Sequence, residues 1–434
     1  MNKVEPRTLS GFMELLPNDQ LKFNKLYDAI RSTYEQFGFL PLDTPIIEAS
    51  EVLLAKAGGE TEKQVYQIKR GDSDLTLRFD LTVPLAKYVA KNHGQLSFPF
   101  RRYQIGKVYR GERAQKGRFR EFYQCDIDII GDGELSIIND AEIPYIISNI
   151  FNNMGLKNFV IKINNRKLLN GFFASLKIGD KSADVMRLID KIEKIGADSV
   201  RTELSLIITD TSIIDQLLSF IDIKGSNEEI IKKLESLDIE NDLYKLGLEE
   251  LKTVVSYAYD FGMSNDNLNI DLRISRGLDY YTGTVYETFL RDYKELGSIC
   301  SGGRYDNLAE YYTDRQLPGV GISIGLTRLF DKLLELDLIK DEKVQVLDAL
   351  IIPMTDNYTY IIGVFNKLVS NNKRAQILYD RKSIKSMINY ATSLNIPNVI
   401  FIGDDEVTNN TITIKNLASH EQRTIKLENI AKEF

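Results

Sequence analysis

Histidine is nearly missing from this chain: His93 and His420 are the only two in 434 residues. Neither sits in a constellation suited to imidazole general-base catalysis or to a His-rich metal site, so no protein-held metal is expected. Cysteine is as scarce. Cys125 and Cys300 are too few and too far apart for a disulfide framework or a CxxC site. No apolar run approaches the ~18 residues that span a bilayer, which excludes a transmembrane helix. The opening stretch "MNKVEPRTLS" carries no apolar signal segment, so a cytoplasmic protein is expected. A GxxxxGK[ST] phosphate loop is absent, and "GVGISIG" (Gly319, Gly321, Gly325) is not GxGxxG.

What is present describes an ordinary core-forming protein, 43% hydrophobic and 27% charged. The length suggests two to four domains at roughly 150 residues each. The net charge of −7 argues against blanket nucleic-acid affinity. Residues 101–120, "RRYQIGKVYRGERAQKGRFR", break that average with eight Lys/Arg against one acid, Glu112.

Residues 18–37 predict an amphipathic helix with Asn18 or Asp19 as N-cap. "DLTLRFDLTVPLAKYVA" begins as a strand, with Leu75, Leu77, Phe79 and Leu81 on one face and Arg78, Asp80 and Thr82 on the other. Pro84 then opens a helix. "YQIGKVYR" and "RFREFYQCDIDIIG" predict a long antiparallel hairpin joined by "GERAQKG". A helix over 136–155 and a strand over 158–163 follow. From 166 to 265 the texture is helical, as for an inserted module. Strands return at 268–290, 297–303 and 318–324, then a helix from 326 to 337. After a charged linker, "LDLIKDEKVQ", strands and helices alternate. That pattern predicts a small α/β domain with a mostly parallel sheet.

On the second hairpin strand Arg118, Arg120, Phe122, Gln124, Asp126 and Asp128 share one face. Arg120 and Gln124 lie ~13 Å apart there, and Gln124 and Asp128 another ~13 Å. Arg110 and Glu112 share a face on the first strand. An arginine end and a carboxylate end suit an elongated ligand with a phosphate and a polar head. A solvated face laced with ion pairs has the same pattern. Arg328, near a helix start, suits a nucleotide phosphate, though without context an ordinary structural arginine has the same pattern. Gly302 and Gly303 in "SGGRYDNL" allow a close approach by a ligand or backbone where a strand meets a helix, or mark a tight turn.

Taken in order, these motifs resemble the histidyl-tRNA synthetases, a family of class II aminoacyl-tRNA synthetases, over nearly the full chain. "YRGERAQKGRFREFYQ" resembles motif 2 of the class, "GVGISIGLTRL" motif 3, and "DTPIIE" lies where the dimer-forming motif 1 belongs. "RGLDYYTGTVYE" and "SGGRYDNL" resemble the two histidine signatures. The resemblance implies an α/β multidomain protein. Its parts would be an antiparallel class II sheet flanked by helices (1–165 and 266–335), a helical insertion (166–265), a linker (336–345) and a small α/β anticodon-binding domain (346–434). It implies a cytoplasmic homodimer that joins ATP and histidine into histidyl-adenylate and passes histidine to the 3′ end of tRNA(His), with Mg²⁺ on the phosphates.

The resemblance also assigns residues. Asp80, Thr82 and Gln124 take the α-ammonium of histidine. Asp128 and Tyr281 take its imidazole, with Tyr280 lining the pocket. Arg110 and Arg276 hold the α-phosphate and the carboxylate, and Glu112, Arg120 and Arg328 position ATP. Departures are small; Asp80, for one, stands where many relatives carry Glu. A non-catalytic relative, the regulatory subunit of ATP phosphoribosyltransferase, would lack the last domain and carry a degraded arginine signature. A class II synthetase for another amino acid would lack "RGLDYY". If Arg276 and Tyr281 reach one ligand, strand alternation must fail between them. A bend at Gly277 is then expected, with regular strand from near Thr282 to about Phe289.

Overall fold

The computed structural model describes residues 3–55, 63–112, 117–274, 280–307, 309–339, 346–380 and 382–433. The chain divides into two compact units, Met1–Leu338 and Ile339–Phe434.

The first unit is built on an eight-stranded sheet. Its strands are β1 (Leu40–Pro41), β5 (Phe100–Tyr109), β6 (Glu121–Ile130), β7 (Phe159–Asn165), β8 (Leu268–Ile270), β9 (Thr284–Leu290), β10 (Cys300–Tyr305) and β11 (Gly319–Gly325), in the order β1-β5-β6-β11-β10-β9-β7-β8. Every internal pairing is antiparallel. Only the edge pairs β1·β5 and β7·β8 are parallel. The expected hairpin is β5 and β6, paired without a break from Phe100↔Ile130 to Tyr109↔Glu121. Its period-2 pattern splits β6 cleanly. Cys125, Ile127 and Ile129 are fully buried on one face. There Tyr34, from the helix Pro17–Gln36, donates its hydroxyl to the Cys125 carbonyl at 2.8 Å. Phe23 of the same helix packs its ring on Tyr123 and on Phe330 of the helix Leu326–Glu335. The other face of β6 carries Phe122, Gln124, Asp126 and Asp128.

Three sequence expectations need correction. The first helix begins at Pro17, with Leu16 before it and no side-chain cap, so neither Asn18 nor Asp19 caps it. Proline's fixed φ and missing N–H suit the first helical turn. The strand of "DLTLRFDLT" is β4 (Ser73–Leu77), which pairs with β2 (Ile47–Ala49) and β3 (Gln67–Arg70) in a small antiparallel sheet and stops before Asp80. Its polar face is the inner one. Thr76 and Arg78 are buried while Leu75 and Leu77 are only half-buried, because Arg78 Nε donates to Lys107 O at 2.8 Å and Nη1 to Thr44 O at 2.5 Å. Gly302 and Gly303 lie inside β10, not at a strand–helix junction.

Between β7 and β8 the chain is helical, from Arg166–Ser175 to Asp242–Asp260. Local chemistry marks its boundaries. Asn165 caps the first of these helices through Lys167 N and Leu168 N. Ser226 and Glu229 form a reciprocal capping box at Asn227–Ser236.

The second unit has a five-stranded sheet of β12 (Ala349–Pro353), β13 (Ala375–Ile377), β14 (Asn398–Ile402), β15 (Thr411–Asn416) and β16 (Gln422–Lys426), ordered β13-β12-β14-β15-β16. The sheet is mixed rather than mostly parallel. The pairings of β12 with β13 and β14 are parallel, and those of β15 with β14 and β16 are antiparallel. The short helix Asp404–Asn409 ends at Asn410 in the left-handed region, and the chain returns beside β14 in the opposite sense. This unit has its own apolar core, including Ile351, Ile361, Val364, Ile400 and Ile414.

Candidate active site

Register across the large sheet assembles one polar floor. Gln124 of β6 lies opposite Gly106 of β5 and Gly325 of β11. The next row on that face runs Gln104, Asp126, Ser323, Ser301, Glu287. The row after it runs Arg102, Asp128, Gly321, Gly303, Val285. Cross-strand neighbours share a face, and Gln124, Asp126, Asp128, Glu287, Ser301, Gly321, Ser323 and Gly325 from these rows line a cavity of about 470 Å³.

The two glycines leave room for the functional side chains. A Cβ on Gly321 would sit 2.3 Å from Asp128 Oδ1, and one on Gly303 would sit 3.0 Å from the Tyr281 ring. Asp128 is held from two sides. Arg102, fully buried, pairs with its Oδ2 at 2.6 Å, and Tyr305 donates its hydroxyl to Oδ1 at 2.7 Å. Burial raises the Asp128 pKa to about 6 despite Arg102. Burial pushes Asp126 further, to about 7, against the pull of Arg102 and Ser323. Asp80 sits just before the helix Thr82–Asn92. Its Oδ1 accepts the Thr82 and Val83 N–H groups at 3.1 and 2.9 Å. Burial still raises its pKa, opposed by those N–H groups and by Arg110.

At the other end of the cavity lie Arg110, Glu112, Arg118, Phe122 and Arg328. Arg110 lies between aromatic rings, 4.4 Å from the Phe79 centroid and 5.1 Å from that of Phe122. Arg118 pairs with Glu112 at 3.4 Å. Arg328 donates to the Leu296 carbonyl from the first turn of the helix Leu326–Glu335. Phenols close the carboxylate end. Tyr280 and Tyr281 meet edge to face with centroids 4.9 Å apart, and Tyr280 meets Tyr305 at 5.9 Å. Arg166 holds the backbone beneath them, donating to Tyr281 O at 2.9 Å.

Of the residues singled out in the sequence, Asp80, Thr82, Arg110, Glu112, Gln124, Asp128, Tyr280, Tyr281 and Arg328 all line this cavity. Arg120 does not. Its Nε donates to Glu112 O at 2.9 Å and its Nη1 to Ser10 O at 3.4 Å. Arg276 and Gly277 lie outside the described residues. Tyr281–Gly283 are not strand, and β9 begins at Thr284, two residues later than expected.

Asp126, Ser323, Glu287, Tyr305 and Arg102 were not read as site residues. Asp126 was visible on the shared face of β6. The others become neighbours only through the β5·β6·β11·β10·β9 register. Among the described residues, no cluster of three or more His, Cys, Asp or Glu is placed to hold a metal, and no helix is long and apolar enough to cross a membrane.

Comparison with known proteins gives a consistent result. The family model described as Histidyl-tRNA synthetase matches residues 11–329, and that of an anticodon binding domain matches residues 348–434. The chain is 56% identical over 430 residues to a histidine–tRNA ligase of Clostridium tetani, covering 99% of this chain and 98% of the relative. It is 49% identical to one of Finegoldia magna, covering 99% and 100%. A histidyl-tRNA synthetase crystal structure from Nostoc sp. PCC 7120 superposes with a TM-score of 0.89 at 38% identity, covering 99% of both chains.

Proposed function

The chain belongs to the histidyl-tRNA synthetase family and charges tRNA with histidine, and from that premise we propose how its cavity divides the work. Enzymes of this kind use ATP as substrate. The histidine carboxylate attacks the α-phosphorus of ATP, pyrophosphate leaves, and the histidyl group then moves from AMP to the 3′ end of tRNA(His). The first step needs no general base, because a carboxylic acid is already ionised at neutral pH. It needs two anions held together and the charge on phosphorus stabilised.

Arg110 and Arg276 carry that load as fixed positive charges. Asp80, Thr82 and Gln124 receive the α-ammonium. Asp128 accepts the imidazole N–H and Tyr281 donates to the other ring nitrogen, the pair that a neutral imidazole requires. Tyr280 walls that end, while Glu112 and Arg328 orient ATP. Arg120 braces the motif 2 strand through Glu112 O and acts on ATP at one remove.

A single observation carries this reading. One cavity brings Asp128, held by Arg102 and Tyr305 on the sheet, together with Arg110, Glu112 and Arg328 from beyond the sheet strands. Mg²⁺ would arrive on the β- and γ-phosphates and would neutralise phosphate charge; Glu112 and Glu287 are among the carboxylates that line the cavity.

The domains follow the same reading. Residues 1–165 and 266–335 form the catalytic core, 166–265 the insertion, 336–345 the linker and 346–434 the anticodon-binding domain. We assign a homodimer formed through the segment around "DTPIIE". Its support is Ile46 and Ile47, left 42% and 46% exposed in a single chain. The setting is the cytoplasm, where tRNA is charged, in keeping with the free thiols Cys125 and Cys300.

Pyrophosphate exchange into ATP tests the core of this proposal. The purified protein with Mg²⁺ should exchange only when histidine is added. Exchange that ignores histidine, or none at all, would sink it.

A further inference from the structure

Ser323 stands opposite Asp126 in the pairing of β6 with β11. Its Oγ accepts the Nε2–H of Gln124 at 2.7 Å. The same hydroxyl also bonds the Asp126 carboxylate. A hydroxyl has one proton; with Gln124 donating in, Ser323 donates out, to Asp126. This arrangement fixes the Gln124 amide, with its nitrogen on Ser323 and Oε1 turned away. Gln124 Oε1 and Asp126 Oδ1 are then both buried and have no hydrogen-bond partner among the described residues. Both residues line the cavity.

Buried acceptors left unmet are costly, so this pair calls for a donor from a ligand. The surrounding charge selects the donor. Asp126 faces Asp128 along its own strand and Asp80 from the segment before Thr82–Asn92, with Arg102 and Arg110 as the nearby cations. Gln104, across on β5, is already engaged by Asp43 and Thr44. Once all three carboxylates are ionised, they outnumber the two guanidiniums by one negative charge. A phosphate oxygen would be repelled here, and an ammonium with three N–H groups fits.

We propose that Asp126 is a further acceptor for the α-ammonium of histidine, sharing it with Gln124 Oε1 and Asp80, and that Ser323 positions both acceptors. The proposal rests on reading this cavity as the histidine site. It implies a linkage to pH. Burial holds the Asp126 carboxyl at about 7 in the empty cavity, so near neutrality about half of the empty sites carry a proton that the incoming cation displaces.

The test uses the full-length protein and two variants, Asp126→Asn and Ser323→Ala, with histidine binding followed by calorimetry and KM values by pyrophosphate exchange. Asp126→Asn should raise the KM for histidine by about tenfold or more and leave the KM for ATP unchanged. From pH 8 to pH 6 the wild type should lose about tenfold more histidine affinity than Asp126→Asn. Ser323→Ala, which deletes one hydroxyl from the floor, should move the histidine KM in the same direction by less. An unchanged histidine KM in Asp126→Asn, or an increase confined to ATP, overturns the proposal; the latter would make Asp126 a partner of the ribose. Wild-type protein that fails to bind histidine would instead overturn the reading of the cavity underneath.

Discussion

Gly321 shows how one missing atom positions a charge. It is the β11 residue directly across from Asp128. A methyl there would meet Asp128 Oδ1 at 2.3 Å and Ile127 O at 2.4 Å. The carboxylate would have to leave both Arg102 and Tyr305. Gly321→Ala should therefore lower kcat/KM for histidine by about 10²-fold, the scale of a misplacement near 1 Å, with the KM for ATP little changed. Steady-state exchange kinetics would read both values, and equal losses for the two substrates would refute the claim. The sequence marked Gly321 only as part of a glycine-rich strand. Its specific duty depends on which strand lies beside it, and nothing local to "GVGISIG" encodes that. Tyr280 and Tyr281 were legible because they sit together in one motif. The meeting of Ser323 with Asp126 was not, since the two lie 197 positions apart and meet only across a strand pair.

Among the elements, the first and last helices between β7 and β8 are locked together by a reciprocal glycine contact. Gly171 of the helix Arg166–Ser175 would place a Cβ 2.3 Å from Tyr244 N, and Gly247 of Asp242–Asp260 would place one 2.2 Å from Leu168 N. The two helix backbones thus touch where side chains would hold them apart. Lys167 and Glu250 pair across the same crossing at 2.5 Å, and Asn165, which caps the first helix, also donates to Glu250 at 2.8 Å. Gly247→Ala should destabilise the fold by about 1–3 kcal/mol through overpacking, seen as a lower Tm in thermal unfolding; an unchanged Tm would mean the crossing yields without strain. Periodicity identified these helices because their apolar stripes are local. It could not reveal that "NGFF" and "LGLE" are one contact, since close packing is a property of pairs. The same limit explains the polar-inward face of β4. Leu75 and Leu77 alternate correctly, yet buried partners for Arg78 from Thr44 and Lys107 decide which side is the core.

At the scale of the molecule the question is how a chain of net charge −7 binds a polyanion. The basic stretch 101–120 looks like the answer in sequence, yet much of its charge is spent internally. Arg101 pairs with Glu142 at 2.8 Å, Arg102 with Asp128 at 2.6 Å, Lys107 with Glu121 at 2.8 Å and Arg118 with Glu112 at 3.4 Å. Arg110 faces the cavity and Arg120 the backbone of Ser10 and Glu112. Among its described residues, the hairpin is thus a substrate-facing element stitched by ion pairs rather than a free cationic strip. A phosphate contact made by an exposed side chain is then a surface charge screened by salt. Binding of tRNA should weaken steeply as salt rises, by ~10³-fold between 50 and 200 mM for about six neutralised phosphates. Histidine binding in the buried cavity should change little over the same range. Fluorescence anisotropy with labelled tRNA, run beside histidine calorimetry at each salt concentration, separates the two. A flat tRNA curve would mean recognition without phosphate neutralisation. A histidine curve as steep as the tRNA curve would mean the Asp80–Asp126–Asp128 cluster is open to solvent ions.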